Sequence, residues 1–219
     1  MPRMARVVVP GYPHHITQRG NRRQQTFFED SDYLAYIDLL STLKDMAGVD
    51  IWAYCLMPNH VHVVAVPAHK QSLAKLFGTA HHRYARRINS LNEWQGHLWQ
   101  ERFRSSVMDE EHLLAAVRYI ELNPVRAGLC SFAEEWRWSS IHAHISGDSD
   151  KLVSVSPMHE RISDWLKYLS EEGPSEVLDK LRAETRTGRP SGSNEFIESL
   201  EETTGLQLRR RKPGPASIS

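Results

Sequence analysis

Asp50-Ile-Trp-Ala-Tyr-Cys-Leu56 and His60-Val-His-Val-Val-Ala-Val66, separated by the break Met57-Pro-Asn59, decide the fold of this chain. Both runs are rich in β-branched and aromatic residues, and Pro58-Asn59 is turn chemistry, so residues 50–56 and 60–66 predict two successive strands. Working toward the N-terminus, residues 14–19 alternate before Gly20-Asn21, which predicts another strand and a turn. Between them, Ser31 or Asp32 caps a helix to about Ala47, with Tyr33, Ile37, Leu40 and Leu43 on one face and Gly48 as its stop. Working toward the C-terminus, Ser72 caps a helix to about Asn89, whose apolar stripe is Leu73, Leu76, Phe77, Ala80, Tyr84 and Ile88. Residues 101–107 alternate again, and a helix from about Glu110 must end near Asn123, because Pro124 disfavours helical geometry in the residue before it.

The resulting order is β-α-β-β-α-β followed by a further helix. That is an α+β, ferredoxin-like (split βαβ) arrangement: an antiparallel sheet with two helices on one face and the other face left for the added helix or a ligand. After about residue 145 Ser, Gly, Pro and charge dominate. Helical pieces are expected near 158–170, 174–184 and 193–204, with Thr187–Ser193 as a flexible linker and Arg209–Pro215 as a basic, Pro/Gly-rich end. The expected division is therefore a domain over 1–145 and a partly helical extension over 146–219.

Composition narrows the function. The 219 residues carry 27 Lys+Arg against 27 Asp+Glu, so the chain is not held to a partner by net charge alone. The charge is nevertheless uneven. Residues 1–28 hold five arginines and no acid, and residues 70–107 hold seven Lys/Arg against Glu93 and Glu101. Two cysteines, Cys55 and Cys130, exclude a disulfide framework and an all-cysteine zinc site. No apolar run approaches a membrane span, the N-terminus lacks the apolar stretch of a secretory signal, and the cytoplasm is the expected compartment. Twelve histidines point any metal chemistry toward imidazole.

Three groups of residues carry chemistry. His60 and His62 lie two apart on a strand and project side by side from one face, a spacing that chelates a divalent metal; the bland alternative is two half-exposed histidines at a strand start. Tyr119 shares a helix face with His112, Ala115 and Asn123, so the Asn123 amide sits one turn beyond the phenol; the bland alternative is a boundary tyrosine and a C-terminal cap. Lys75, Thr79, His82 and Arg86 form a stripe flanked by Arg83 and Arg87. With Arg19, Asn21, Arg22, Arg23, Arg102 and Arg104 they make a candidate phosphate-binding surface, and Trp94 and Trp99 offer stacking faces for unpaired bases. A basic helix face is more often simply solvated.

Pro13-His-His-Ile-Thr-Gln-Arg-Gly-Asn21, Tyr54-Cys-Leu-Met-Pro-Asn-His-Val-His-Val-Val64 and Tyr119-Ile-Glu-Leu-Asn-Pro-Val-Arg-Ala-Gly-Leu129 together resemble the IS200-like, single-tyrosine HUH transposases, most of all the REP-associated tyrosine transposases. The resemblance runs from about residue 5 to 145. It implies a single-stranded DNA endonuclease and strand transferase acting near REP-type palindromic hairpins. In that reading Tyr119 is the nucleophile, and His60, His62 and Asn123 hold Mg²⁺ or Mn²⁺. It further implies single-stranded or hairpin DNA as partner, no membrane, and a monomer. Two other classes remain open: a histidine-ligated metal hydrolase using activated water, and a non-catalytic nucleic-acid-binding module on a ferredoxin-like sheet.

Overall fold

The computed structural model describes residues 6–171 and 174–209. Strands β1 (His14–Arg19), β2 (Val49–Met57), β3 (His60–Pro67) and β4 (Arg104–Val107) form one sheet in the order β2-β3-β1-β4, with every neighbouring pair antiparallel. The fold is the expected α+β sheet with helices packed on it.

Helices α1 (Asp30–Ala47) and α2 (Ser72–Leu91) cover one face. Their stripes, including Tyr36, Leu40, Leu73, Leu76, Phe77 and Tyr84, bury against Ile16, Val61, Val63 and Ala65. Each such aliphatic side chain contributes roughly 1.5–3 kcal/mol when fully buried. The first turn of α1 begins earlier than its sequence suggests. Glu29 is the N-cap, and Asp32 reaches back to accept from the backbone N–H groups of Phe28 and Glu29, so a reciprocal capping box sets the start.

Helix α3 (Glu110–Glu121) packs on the opposite face, burying Leu113, Ala116, Val117 and Ile120 against Ala53, Cys55, Met57 and Val64. A β-bulge between Ile51 and Ala53 keeps the register, since Ile51, Tyr54 and Leu56 all join the α1/α2 side only if one residue is added there. Asp109 caps α3 by accepting from the His112 N–H at 3.0 Å and also receives the Ser193 N–H at 2.7 Å. The helix does stop before Pro124, but the proline then opens a further short turn, α4 (Asn123–Arg126), where its missing N–H is harmless.

The edge strand β2 is covered by the chain around Trp138–Ser140. Leu56 N–H donates to the Trp138 carbonyl, and Ser140 N–H donates to the Tyr54 carbonyl, which removes an open edge. A short helix follows, α5 (Ile141–Ser146), which the sequence reading does not include.

The segment after residue 145 shares both cores. Helices α6 (Ser156–His159), α7 (Trp165–Ser170), α8 (Ser175–Thr187) and α9 (Asn194–Thr204) follow in order. Leu152, Val153 and Val155 enter the α1/α2 core, whereas Trp165, Tyr168, Leu169 and Leu181 enter the α3 core. The expected linker at Thr187–Ser193 is a docked strip rather than a free one. Ser191 is fully buried, its N–H donates to the Val107 carbonyl, and Ser106 donates to the Arg189 carbonyl. Gly192 lies so close to Phe196 that a Cβ would meet the ring at 2.2 Å, which explains glycine there. From residue 210 onward the expected basic end lies outside the described residues; Arg209 itself pairs with Glu198 and Glu201.

Candidate active site

Strand parity builds the site. On β1, His15, Thr17 and Arg19 face away from α1 and α2, and on β3 His60, His62 and Val64 share that face. The register places His62 opposite Thr17 and His60 opposite Arg19, so His15 sits diagonally from His62. The His60 and His62 ring centroids are 4.9 Å apart. Helix α3 brings Tyr119 over them, its ring centroid 5.6 Å from that of His62. Gly20, at the end of β1, lets the chain fold tightly, since a Cβ would meet the Gln24 carbonyl oxygen at 2.3 Å. The following turn holds Arg22 and Arg23 in left-handed backbone, with φ of 52° and 62°.

A cavity of about 380 Å³ collects these groups: His60, His62 and Tyr119 line it together with Arg19, Arg23, Arg102 and Arg104. Its remaining wall is α8, through Leu181, Arg182, Thr185 and Arg186. Two guanidinium groups lie over the Tyr119 ring, Arg126 at 4.0 Å and Arg182 at 5.2 Å from its centroid. The centre is therefore cationic, with the Glu101 carboxylate engaged by Arg104.

The imidazoles are electrically prepared for a cation. Burial, and next the nearby Arg19, lowers the His60 pKa to about 4, so its ring is neutral at pH 7. Burial, reinforced by His60, His15, Arg19 and Arg126, holds His62 well below the ordinary histidine value. Asn59 Oδ1 lies 2.6 Å from His60 Nδ1 and accepts its proton, which leaves a lone pair on Nε2. His62 Nδ1 bonds to His15 Nε2 at 2.9 Å, and His62 Nε2 is buried with no partner. Two neutral rings with uncommitted Nε2 atoms fit a divalent ion of borderline softness. Among the described residues no group of three or more His, Cys, Asp or Glu is placed to hold a metal ion, and the third histidine nearby, His15, spends both ring nitrogens on Thr185 and His62.

The other expected site residues are distributed more widely. Asn123 is buried with its Nδ2 unpaired, but it does not line the cavity, because α3 ends at Glu121 and Asn123 starts the next turn. His82, Arg86 and Arg102 line a larger groove of about 800 Å³ between α2 and residues 96–103, which shares Gln18, Gln100, Glu101 and Arg102 with the tyrosine cavity. Asn21 and Arg22 line a separate recess beside Trp94. Lys75 and Arg83 are exposed and line neither cavity, and Arg87 pairs with Asp32 at 3.7 Å. Trp99 is not a free stacking face: it is 8% exposed and its indole N–H donates to the His81 carbonyl. Trp94 stays 44% exposed, its ring inclined by 78° to that of Phe28.

Sequence reasoning missed His15, Arg126, Arg182, Thr185 and Arg186. His15 was reachable from strand parity, since it lies in phase with Thr17 and Arg19. The three residues of α8 carry no local signal, because only tertiary packing brings that helix to the sheet.

Among known proteins, the chain is similar to a curated protein named as a REP-associated tyrosine transposase of Haemophilus influenzae, at 23% identity over 107 residues, which is 44% of this chain. The match spans 61% of that relative's length. A solved structure described as a REP-associated tyrosine transposase bound to a REP hairpin superposes with a TM-score of 0.55 at 20% identity, over 70% of this chain and 92% of the other. That likeness establishes the fold. Among the described residues no helix is long and apolar enough to cross a membrane. The family model for IS200-like transposases matches residues 9–123, more than half of the chain and all of the stretch that carries His60, His62 and Tyr119, and the protein therefore belongs to the IS200-like transposase family.

Proposed function

We propose that this protein is a metal-dependent endonuclease and strand transferase for single-stranded DNA, cleaving near REP-type palindromic hairpins with Tyr119 as nucleophile. The observation that carries the reading is the convergence of the Tyr119 ring on the paired imidazoles of His60 and His62 inside an arginine-lined cavity. No other described tyrosine suits the role. Burial raises the pKa of the Tyr33 phenol to about 12 and pushes those of Tyr36, Tyr54, Tyr84 and Tyr168 up as well, while the half-exposed Tyr12 packs against Phe196.

In the proposed reaction the Tyr119 oxygen attacks phosphorus and loses its proton, and the bond from phosphorus to the 3′ oxygen breaks. That oxygen takes up a proton and leaves as the 3′-hydroxyl of the upstream fragment, while the downstream fragment stays on the enzyme with its 5′-phosphate esterified to Tyr119. Attack by the 3′-hydroxyl of another strand reverses the step and joins DNA without an external energy source. Arg19, Arg23 and Arg102 neutralise the phosphates that flank the scissile bond. His60 and His62 would hold a divalent cation, with Asn123, behind the cavity wall, as a candidate third donor, and the cation would supply polarisation of a non-bridging phosphate oxygen. A single chain suffices for this cavity, because its own α8 completes the wall, and we therefore take the active form as a monomer. The REP hairpin named for the structural neighbour supports that choice of substrate class.

Labelled single-stranded oligonucleotides carrying the flanking palindromes, incubated with Mn²⁺ or Mg²⁺ and run on a denaturing protein gel, test the proposal. Wild-type protein should carry covalent label and Tyr119→Phe none; a Tyr119→Phe variant that still cleaves and still forms adducts overturns it. His60→Ala should lose cleavage while largely retaining DNA binding. A hydrolase using activated water would instead show no adduct and keep its activity without Tyr119, and a pure binding module would be indifferent to chelators.

A further inference from the structure

The His62 ring is the last member of a three-residue chain that starts in the C-terminal segment. Thr185 Oγ1 on α8 lies 2.9 Å from His15 Nδ1, and His15 Nε2 lies 2.9 Å from His62 Nδ1. The two imidazoles stack with centroids 5.1 Å apart and planes inclined by 17°. All three side chains are buried, so no bulk water competes for these atoms.

Only two proton arrangements satisfy both bonds. In the first, Thr185 accepts from His15 Nδ1–H, His15 Nε2 accepts from His62 Nδ1–H, and His62 Nε2 presents a lone pair. In the second, every donor reverses and His62 Nε2 carries a hydrogen. His62 Nε2 has no protein partner in either arrangement. A lone pair there can ligate a cation and a hydrogen cannot, so only the first arrangement is competent to hold a metal.

We propose that Thr185 and His15 are positioning residues that lock the His62 tautomer, so that its Nε2 lone pair faces the cavity ready for a divalent cation. The inference rests on the metal reading above. It makes α8 part of the metal-binding device of this chain, a role that the family-matched residues 9–123 do not contain. Replacing the Thr185 hydroxyl by a methyl leaves His15 Nδ1–H with no acceptor. The lock is then released: His15 can carry its proton on Nε2 and donate to His62 Nδ1, which opens the Nε2–H form of His62 that cannot ligate a metal.

The test uses the full chain and Mn²⁺ alone, with affinity read by calorimetry and the histidine tautomers read by ¹⁵N–¹H NMR of the metal-free protein. In wild type, His62 should be the Nδ1–H tautomer. Thr185→Val should move it toward Nε2–H and weaken Mn²⁺ binding about 10-fold, and His15→Phe should weaken it roughly 10- to 100-fold, the range seen when residues behind a metal ligand are lost. Thr185→Ser, which keeps the hydroxyl, should retain wild-type values. Wild-type Mn²⁺ affinity in both Thr185→Val and His15→Phe, alongside its loss in His62→Ala, overturns the relay and leaves the metal reading intact. Wild-type affinity in His62→Ala overturns both.

Discussion

Glu121 lies two residues beyond Tyr119 and is fully buried. One carboxylate oxygen accepts from the Ser140 hydroxyl at 2.6 Å and from His144 Nδ1 at 2.6 Å, and the other accepts from the Trp165 indole N–H at 2.8 Å. Ser140 in turn receives the Tyr54 N–H at 3.0 Å, so the carboxylate ties α3 to β2, α5 and α7 at once. In Glu121→Gln, one amide oxygen can serve Ser140 and His144, but the NH₂ then opposes the indole N–H. A buried donor left unmet costs about 1–3 kcal/mol, and the amide's own donors add to it, so we expect about 3 kcal/mol of destabilisation. Glu121→Ala removes all three acceptor contacts and should cost about 3–5 kcal/mol, as breaking other buried polar pairs does. At about 2–4 °C per kcal/mol for a chain of this size, the glutamine variant should melt about 6–12 °C lower. Urea unfolding of Glu121→Gln, Trp165→Phe and the double variant measures the coupling directly. The double variant should be more stable than the sum of the single effects predicts, because the opposed indole N–H is gone. A Glu121→Gln variant within about 0.5 kcal/mol of wild type, the scale of an ordinary surface change, would show that the network does not hold the tyrosine helix.

Three more outcomes follow from the same contacts. His14 is buried, with Nδ1 2.7 Å from the Tyr12 carbonyl and Nε2 accepting from the Val9 N–H, and burial lowers its pKa to about 4 against an unfolded value of 6.5. Above pH 6.5 both states are neutral at this ring; between 6.5 and 4 only the unfolded chain takes the proton, so stability falls by on the order of 3 kcal/mol over that window. His14→Gln should flatten that slope in a pH series of urea melts, and parallel curves would contradict the assignment. Gly192→Ala should cost about 1–3 kcal/mol because its Cβ strikes the Phe196 ring, and Phe196→Ala should relieve most of the penalty; strict additivity in thermal melts would count against the clash. Arg23→Ala should lower the slope of log affinity against log salt for a hairpin oligonucleotide by about one, as expected for one lost phosphate contact, and an unchanged slope would place Arg23 off the DNA path.

Much of the fold was legible in local pattern. Alternation over residues 14–19, the valine-rich run after Pro58-Asn59 and the stripe Leu73 to Ile88 each specify an element and its buried face, because side-chain period is a property of the backbone itself. The same rule put His60 and His62 on one side of one strand. It did not reveal the bulge beside Trp52, since an extra residue in a strand shows only against its partner.

The sequence by itself determined where the proposed chemical groups stand on their own elements: paired imidazoles on one face of a strand, a tyrosine off the buried stripe of its helix, and arginines in the segments around them. Tertiary structure alone decided what surrounds them. Trp99 became a core residue instead of a stacking face, Arg87 was drawn to Asp32, and the segment around Gly188 docked on β4, bringing Thr185 to His15 across 170 positions of chain. Periodicity reports only neighbours within a few residues, whereas contacts of that separation depend on how whole faces fit, on which atoms burial strips of water, and on where each stripped donor finds its acceptor.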